Sequence, residues 1–251
     1  VMSFDNPIYS QITVRCSEIL VWSNEMKNQL LHFHPYLNNQ NIKINSVGSI
    51  LFNPIVKKIN QINLNNDYKN TCNNIGYGCM FCDEYMLKYE LDLIIYIANI
   101  LSKQKMNLLV RPYPSLAINL YEKLFSISNI LIMRSSNKVN IRNSRDGNLY
   151  DEILESKIDF LKRCNWFLSL GTSLTIEAAI CNLNILQINL KTDAKFWKEI
   201  NKRNLMNDHI ELYFSHFDIF DEQTDFNNNN DVNLQRDCKI LLNKIGIDDL
   251  S

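Results

Sequence analysis

Glycine and proline are both scarce, six and five residues in a chain of 251. That excludes a collagen-like or Gly/Pro-rich disordered chain, and makes each glycine a candidate turn or close-approach point. Long apolar runs are missing too. The nearest, Leu91–Leu101, is too short to cross a bilayer and is interrupted by Asp92 and Asn99. No basic start followed by an apolar run opens the chain, so no signal peptide is evident. Charge of one sign is also lacking: 26 Lys and Arg stand against 27 Asp and Glu, a net charge of -1. Without a clustered basic surface, nucleic acid is not expected as the main partner, although a local basic pocket for one diphosphate remains compatible. The patterns H-E-x-x-H, G-x-S-x-G, the Walker phosphate loop and G-x-G-x-x-G do not occur.

Seven cysteines, an odd number at irregular spacing, do not form a disulfide framework and fit a reduced, cytoplasmic protein. Cys79-x-x-Cys82 has no second ligand pair nearby, and His32 and His34 lie far from it in sequence. Packing cysteines are expected there, with no metal and no cofactor. Asparagine and isoleucine are abundant, which reads as compositional drift.

What remains is a globular composition, 46% hydrophobic and 21% charged, sufficient for a sizeable core. Ile19-Leu20-Val21-Trp22 has a buried-strand pattern, and Ser23 is placed to cap a following helix. Ile42–Val47 alternates like a strand and ends at Gly48-Ser49. Asn60–Asn74 is polar and Asn-rich, as an interdomain linker would be. Strand and helix patterns then alternate. Strands are expected at Asn74–Cys79, Met106–Val110, Ile130–Met133, Trp166–Leu170 and, last, Ile185–Leu190. Helices are expected at Tyr85–Lys103, Leu116–Ser126, Tyr150–Cys164 and Gly171–Cys181. Such alternation means parallel β-α-β units and an α/β, doubly wound sheet. Asn227–Asp231 reads as an exposed loop and Leu234–Ile245 as a final amphipathic helix.

In such sheets, ligands bind beyond the carboxyl ends of the strands, where the strand order reverses. Three segments fall at strand ends. In Gly171-Thr172-Ser173-x-x-x-Glu177, glycine admits a ligand close to the backbone, and first-turn N–H groups with two hydroxyls suit a diphosphate. Glu177, four residues from Ser173, is positioned to accept from both hydroxyls of a ribose. The alternative is a well-capped helix with a surface glutamate. In Val110-Arg111-Pro112-Tyr113-Pro114, the prolines end the strand and place a guanidinium at the sheet edge, where it can fork two phosphate oxygens. A snorkelling arginine is the alternative. In Gly76-Tyr77-Gly78-Cys79-Met80-Phe81-Cys82-Asp83, Phe81 and Asp83 are weaker ligand candidates. His209 is a lone histidine near the end of the last αβ unit, a weak candidate that is as well explained by a structural role.

Taken in order, these segments resemble bacterial surface-polysaccharide and lipopolysaccharide-type glycosyltransferases with two facing Rossmann-like domains, the GT-B architecture. Ser3-Phe4-Asp5-Asn6, Leu20–Lys27 and Val47-Gly48-Ser49-x-x-Phe52-Asn53 look like the close of the N-terminal, acceptor-side domain. Arg111-Pro112-Tyr113-Pro114 and Gly171-Thr172-Ser173-x-x-x-Glu177-Ala178 look like donor-binding motifs of the C-terminal domain. Tyr113 and Asn53 depart from that pattern. The resemblance implies residues 1–64 as the end of an incomplete acceptor-side domain plus linker, 65–207 as a nucleotide-sugar-binding Rossmann-like domain, and 208–251 as a tail with a terminal helix. It implies that Gly171, Thr172 and Ser173 meet the diphosphate, Arg111 neutralises it and Glu177 meets the ribose, with Gly48, Ser49 and Tyr113 as weaker candidates. The partners it implies are a nucleotide sugar and a glycan or lipid-linked acceptor, at the cytoplasmic face of the cell membrane. The opening Val1-Met2-Ser3 reads as the middle of something longer, so a missing N-terminal domain or a partner chain is expected to complete the site. It leaves the catalytic base unassigned. Two rival readings stand beside it: a non-catalytic nucleotide-sugar-binding subunit that needs a partner chain, and a nucleotide-sugar epimerase.

Overall fold

The computed structural model describes residues 16–39, 41–49, 52–62, 73–134, 147–188, 219–220 and 223–224. The expectations placed on residues 1–15, His209, Asn227–Asp231 and Leu234–Ile245 lie outside the described residues.

β1 (Glu18–Val21) and β2 (Lys43–Ser46) pair in parallel, with Glu18 opposite Lys43 and Val21 opposite Ser46. Ile19, Val21 and Ile44 turn to one side, as the period of two requires, and meet Met26 and Leu30 of α1 (Asn24–Phe33). Ser23 does cap α1: its hydroxyl accepts the Met26 N–H at 3.1 Å. Helix α2 (Asn53–Ile62) occupies part of what the sequence suggests as a linker. Its apolar residues Ile55 and Ile59 stand one turn apart and are buried, while Ser49 begins the turn into it by accepting the Phe52 N–H. The apolar residues of α2 recur at helical spacing, Ile55, Ile59 and Ile62, so the helix runs past Asn60, where the linker is expected to begin. α2 lies against α5 and α6, so the core around β1 and β2 continues without a break into the main sheet.

That sheet holds β3 (Asn74–Gly78), β4 (Asn107–Arg111), β5 (Ile130–Ile132), β6 (Trp166–Ser169), β7 (Asn184–Ile188) and the two-residue β8 (Ile219–Phe220). Its order is β5-β4-β3-β6-β7-β8, every pair parallel. Between the strands run α3 (Glu84–Lys103), a 3-10 turn (Ile118–Tyr121) leading into α4 (Glu122–Phe125), α5 (Gly147–Lys162) and α6 (Leu174–Ile180). The chain moves outward from β3 in one direction, returns, and moves outward again from β6: a doubly wound, Rossmann-like α/β sheet. Among the described residues, no helix is long and apolar enough to cross a membrane.

Three expectations change. Ile185–Leu190 is not the last strand, because β8 pairs beyond it; two residues carry no readable periodicity. The helix expected over Leu116–Ser126 is a 3-10 turn and one short α-turn, entered by a turn in which the Leu116 N–H bonds to the Tyr113 carbonyl at 3.1 Å. The helix expected over Gly171–Cys181 begins only at Leu174, since Gly171 has a φ of 109° and cannot belong to it.

Each strand side has its own core. Ile75, Tyr77, Leu108, Val110, Leu168 and Leu186 face α3, while Leu109, Phe167 and Ile185 face α5 and α6. Gly76 is on the second side with almost no room: a Cβ there would stand 2.9 Å from Cys164 Sγ and 3.2 Å from Phe167 Cδ2. Gly76→Val is therefore expected to lower the unfolding free energy by about 1–3 kcal/mol, the usual cost of overpacking a core, as read by urea denaturation.

Candidate functional site

The strand order reverses between β3 and β6, and the sequence-predicted residues gather around their carboxyl ends. β3 ends at Gly78, whose missing Cβ would come 2.7 Å from Leu174 Cδ2 at the start of α6. The end of β3 and the start of α6 are thus packed closely at this point. β4 ends beside them, its Arg111 carbonyl accepting the Cys79 N–H at 2.9 Å.

The turn after β6 is held by Ser169. Its hydroxyl accepts the Gly171 N–H at 3.1 Å and lies 2.7 Å from the Thr175 hydroxyl. Gly171 combines a bare backbone with a left-handed φ that side chains rarely adopt, so the turn itself requires glycine. The N–H groups of Thr175 and Ile176 bond back to the Thr172 and Ser173 carbonyls, which removes both from the set expected to meet a diphosphate. Ser173 is exposed, with no side-chain capping bond. With only seven residues, α6 has a small dipole, and the side chains around its start dominate the site's electrostatics.

Arg111 is the last residue of β4 and alternates with Leu109, so it points to the α5–α6 side. It is 4% exposed. Its Nη1 donates to the Ser156 carbonyl at 3.0 Å and to the Ser156 hydroxyl at 3.1 Å, and the guanidinium lies 5.9 Å from the centre of the Phe160 ring. Burial lowers the pKa of this guanidinium, and the nearby Glu177 carboxylate partly restores it.

Glu177 is not the surface glutamate of the alternative reading. It is 4% exposed and turned inward, where Lys157 Nζ reaches Oε1 at 2.5 Å. Burial raises the Glu177 pKa, opposed first by Lys157 and then by Arg111. Ser156 and Lys157, neighbours on α5, therefore tie Arg111 and Glu177 into one buried cluster with two cations and one carboxylate.

Among the described residues, three buried side-chain polar atoms have no hydrogen-bond partner: Arg111 Nη2, Thr172 Oγ1 and Glu177 Oε2. All three belong to residues singled out from the sequence. Leaving such an atom unpaired costs about 1–3 kcal/mol in desolvation, so three of them on residues that follow or end strands of one sheet require an explanation. A ligand that accepts from the first two and donates to the third supplies one.

The weaker candidates fall elsewhere. Asp83 caps α3, its Oδ1 accepting the Met86 N–H at 2.8 Å, which gives it a local structural role. Tyr113 is half-buried against the α3-side core, and its N–H donates to the Tyr121 hydroxyl at 3.0 Å. Gly48 and Ser49 follow β2; Gly48 has a φ of 77° and Ser49 is buried in the turn into α2. Cys79 is buried with its thiol pKa pushed well up by burial, an unreactive packing cysteine, whereas Cys82 is exposed and does not pack as expected. Among the described residues no three His, Cys, Asp or Glu side chains are placed to hold a metal.

Sequence reasoning missed Ser169, Lys157 and Glu90. Glu90 offered a signal: it lies among Leu87, Leu91 and Ile94 on the buried stripe of α3, where a charged residue is out of place. Lys157 offered none, since a lysine on an amphipathic helix is ordinarily solvated.

The sheet defines a Rossmann-like, doubly wound α/β protein. No protein-family model matches the sequence, and none of the curated proteins matches it significantly.

Proposed function

We propose that residues 65–207 form the donor-binding domain of a glycosyltransferase, which transfers a sugar from a nucleotide diphosphate sugar to a surface-glycan or lipid-linked acceptor. The observation that carries this reading is the set of three unpartnered buried atoms, two donors and one acceptor, at the switch point of the sheet. A diphosphate accepts from Arg111 Nη2 and the Thr172 hydroxyl; a ribose hydroxyl donates to Glu177 Oε2. One buried cation, Arg111, and one partly exposed cation, Lys157, against one carboxylate leave the cluster positive, as a dianionic diphosphate needs. Arg111 then stabilises the leaving nucleoside diphosphate as charge builds on its bridging oxygen. The resemblance of the ordered motifs supports the same assignment, and a lipid-linked acceptor brings the site to the cytoplasmic face of the membrane.

Calorimetric titration with UDP, GDP and CMP tests it: saturable binding of one nucleotide is the expected result. Absence of binding to all three by a folded chain removes the donor-site assignment. Glu177→Gln is expected to weaken the nucleotide that binds by about 1–3 kcal/mol, the range for a hydrogen bond to a charged group, with the fold retained. Unchanged affinity in that variant takes Glu177 out of the ribose role.

A further inference from the structure

The cluster on the opposite side of β3 is not used by the reading above. Glu90 of α3 is fully enclosed, 0% exposed. Its Oε1 accepts from the Tyr77 hydroxyl at 2.8 Å and from the Met80 N–H at 2.8 Å, and its Oε2 accepts the Phe81 N–H at 3.3 Å. A buried carboxylate spent on two consecutive backbone N–H groups of an irregular segment fixes that segment's path, because losing either bond strands a buried donor. The segment is the one that leaves β3 at the switch point, next to Leu174 and the Arg111 carbonyl.

We propose that Glu90 is the positioning residue of the strand-end crevice, gripping the N–H groups of Met80 and Phe81 so that the segment after β3 holds one fixed shape beside the Gly171–Ser173 turn. This deepens the donor-site reading and, for its effect on ligand binding, rests on it.

The grip depends on ionisation. Burial pushes the Glu90 pKa up to about 7, against the lowering effect of the bonds from Met80, Tyr77 and Phe81. The titratable groups that face it are Tyr77 from β3, Cys79 from the segment itself and Tyr121 from the 3-10 turn. All three have pKa values pushed upward, first by burial, and stay neutral near pH 7. Oε1 already accepts two bonds, so a proton goes to Oε2 and displaces the Phe81 N–H. As pH falls through about 7 the hold on Phe81 is lost while Met80 and Tyr77 keep theirs. The sign for stability is the reverse: a carboxyl whose folded pKa is raised favours the native state at low pH, and that contribution is lost as pH rises to about 7. Local order and global stability therefore respond to the same proton in opposite directions.

Glu90→Gln separates the two. Glutamine keeps an acceptor for Tyr77 and Met80, carries no ionisation, and presents an amide NH2 where Phe81 needs an acceptor. In 15N-labelled protein titrated from about pH 5.5 to 8.5, the Phe81 and Met80 amide signals of the wild type are expected to move together with one ionisation near 7. In E90Q both are expected to stay still. Wild-type affinity for whichever of UDP, GDP and CMP binds is expected to drop about tenfold with the same ionisation as the amide signals, and E90Q to bind about tenfold more weakly than wild type at pH 8 and to lack that step, the size of one charge-assisted bond. Amides that do not titrate in the wild type, or E90Q with wild-type affinity and the wild-type pH profile, overturn the proposal. If none of the nucleotides binds the wild type, the donor-site reading fails, while the amide titration still decides whether Glu90 holds the segment.

Discussion

Arg111→Met is expected to weaken nucleotide binding about ten- to a hundredfold, since hydrogen bonds to a charged group contribute about 1.5–3 kcal/mol each, while leaving the unfolding free energy within about 1 kcal/mol of wild type. The two halves of that result have different origins. Methionine keeps an unbranched apolar stem against Phe160, so no large cavity opens. It loses the two bonds from Nη1 to Ser156. It also removes Nη2, a buried donor with no partner, and a guanidinium whose charge burial disfavours. Those terms offset one another. A residue kept for packing gives the opposite pattern: substantial destabilisation with affinity unchanged. Urea denaturation and calorimetric titration of the same preparation distinguish the two cases.

Lys157→Met is expected to destabilise the protein by about 3 kcal/mol near pH 8, the low end for breaking a buried ion pair because Lys157 remains partly solvated. Glu177 is left as a nearly enclosed carboxylate with Arg111 as its remaining cation. Its folded pKa is already raised by burial, so the native state binds the proton more tightly than the unfolded state does. Stability from this group is therefore present at low pH and is lost as pH rises toward the folded value. Removing the lysine raises that value further and widens the window. The loss is expected to shrink as the pH is lowered toward about 5, and a second substitution, Glu177→Gln, is expected to restore most of it at pH 8. Equal destabilisation at both pH values, or no rescue, would show that Lys157 acts through packing of its stem.

These two residues illustrate what a linear sequence can and cannot carry. Arg111 was legible because a compact apolar strand followed by Pro112 and Pro114 defines a strand end, and a basic residue there projects at the edge of the sheet. Glu177 is legible by its spacing of four residues from Ser173, but its orientation is not. Spacing places it on α6; only the packing of α5 against α6 turns the carboxylate inward onto Lys157. Lys157 itself, twenty residues upstream on another helix, had nothing local to mark it. Asp83 and Tyr113 show the converse, residues near a strand end whose groups serve a helix cap and a loop-to-Tyr121 bond.

The sequence by itself determined the alternation of strands and helices, the parallel doubly wound sheet and the positions of its strand ends. Those follow from periods of two and 3.6 and from a few turn residues, all of which are local. Tertiary structure alone decided that α2 closes the first core against α5 and α6, that β8 extends the sheet, and that Glu90 grips the segment leaving β3. It also decided that Arg111, Thr172 and Glu177 each keep one buried atom unpartnered. These are properties of contacts between residues far apart in the chain, and whether a polar group is satisfied depends on every element that surrounds it, which no local pattern records.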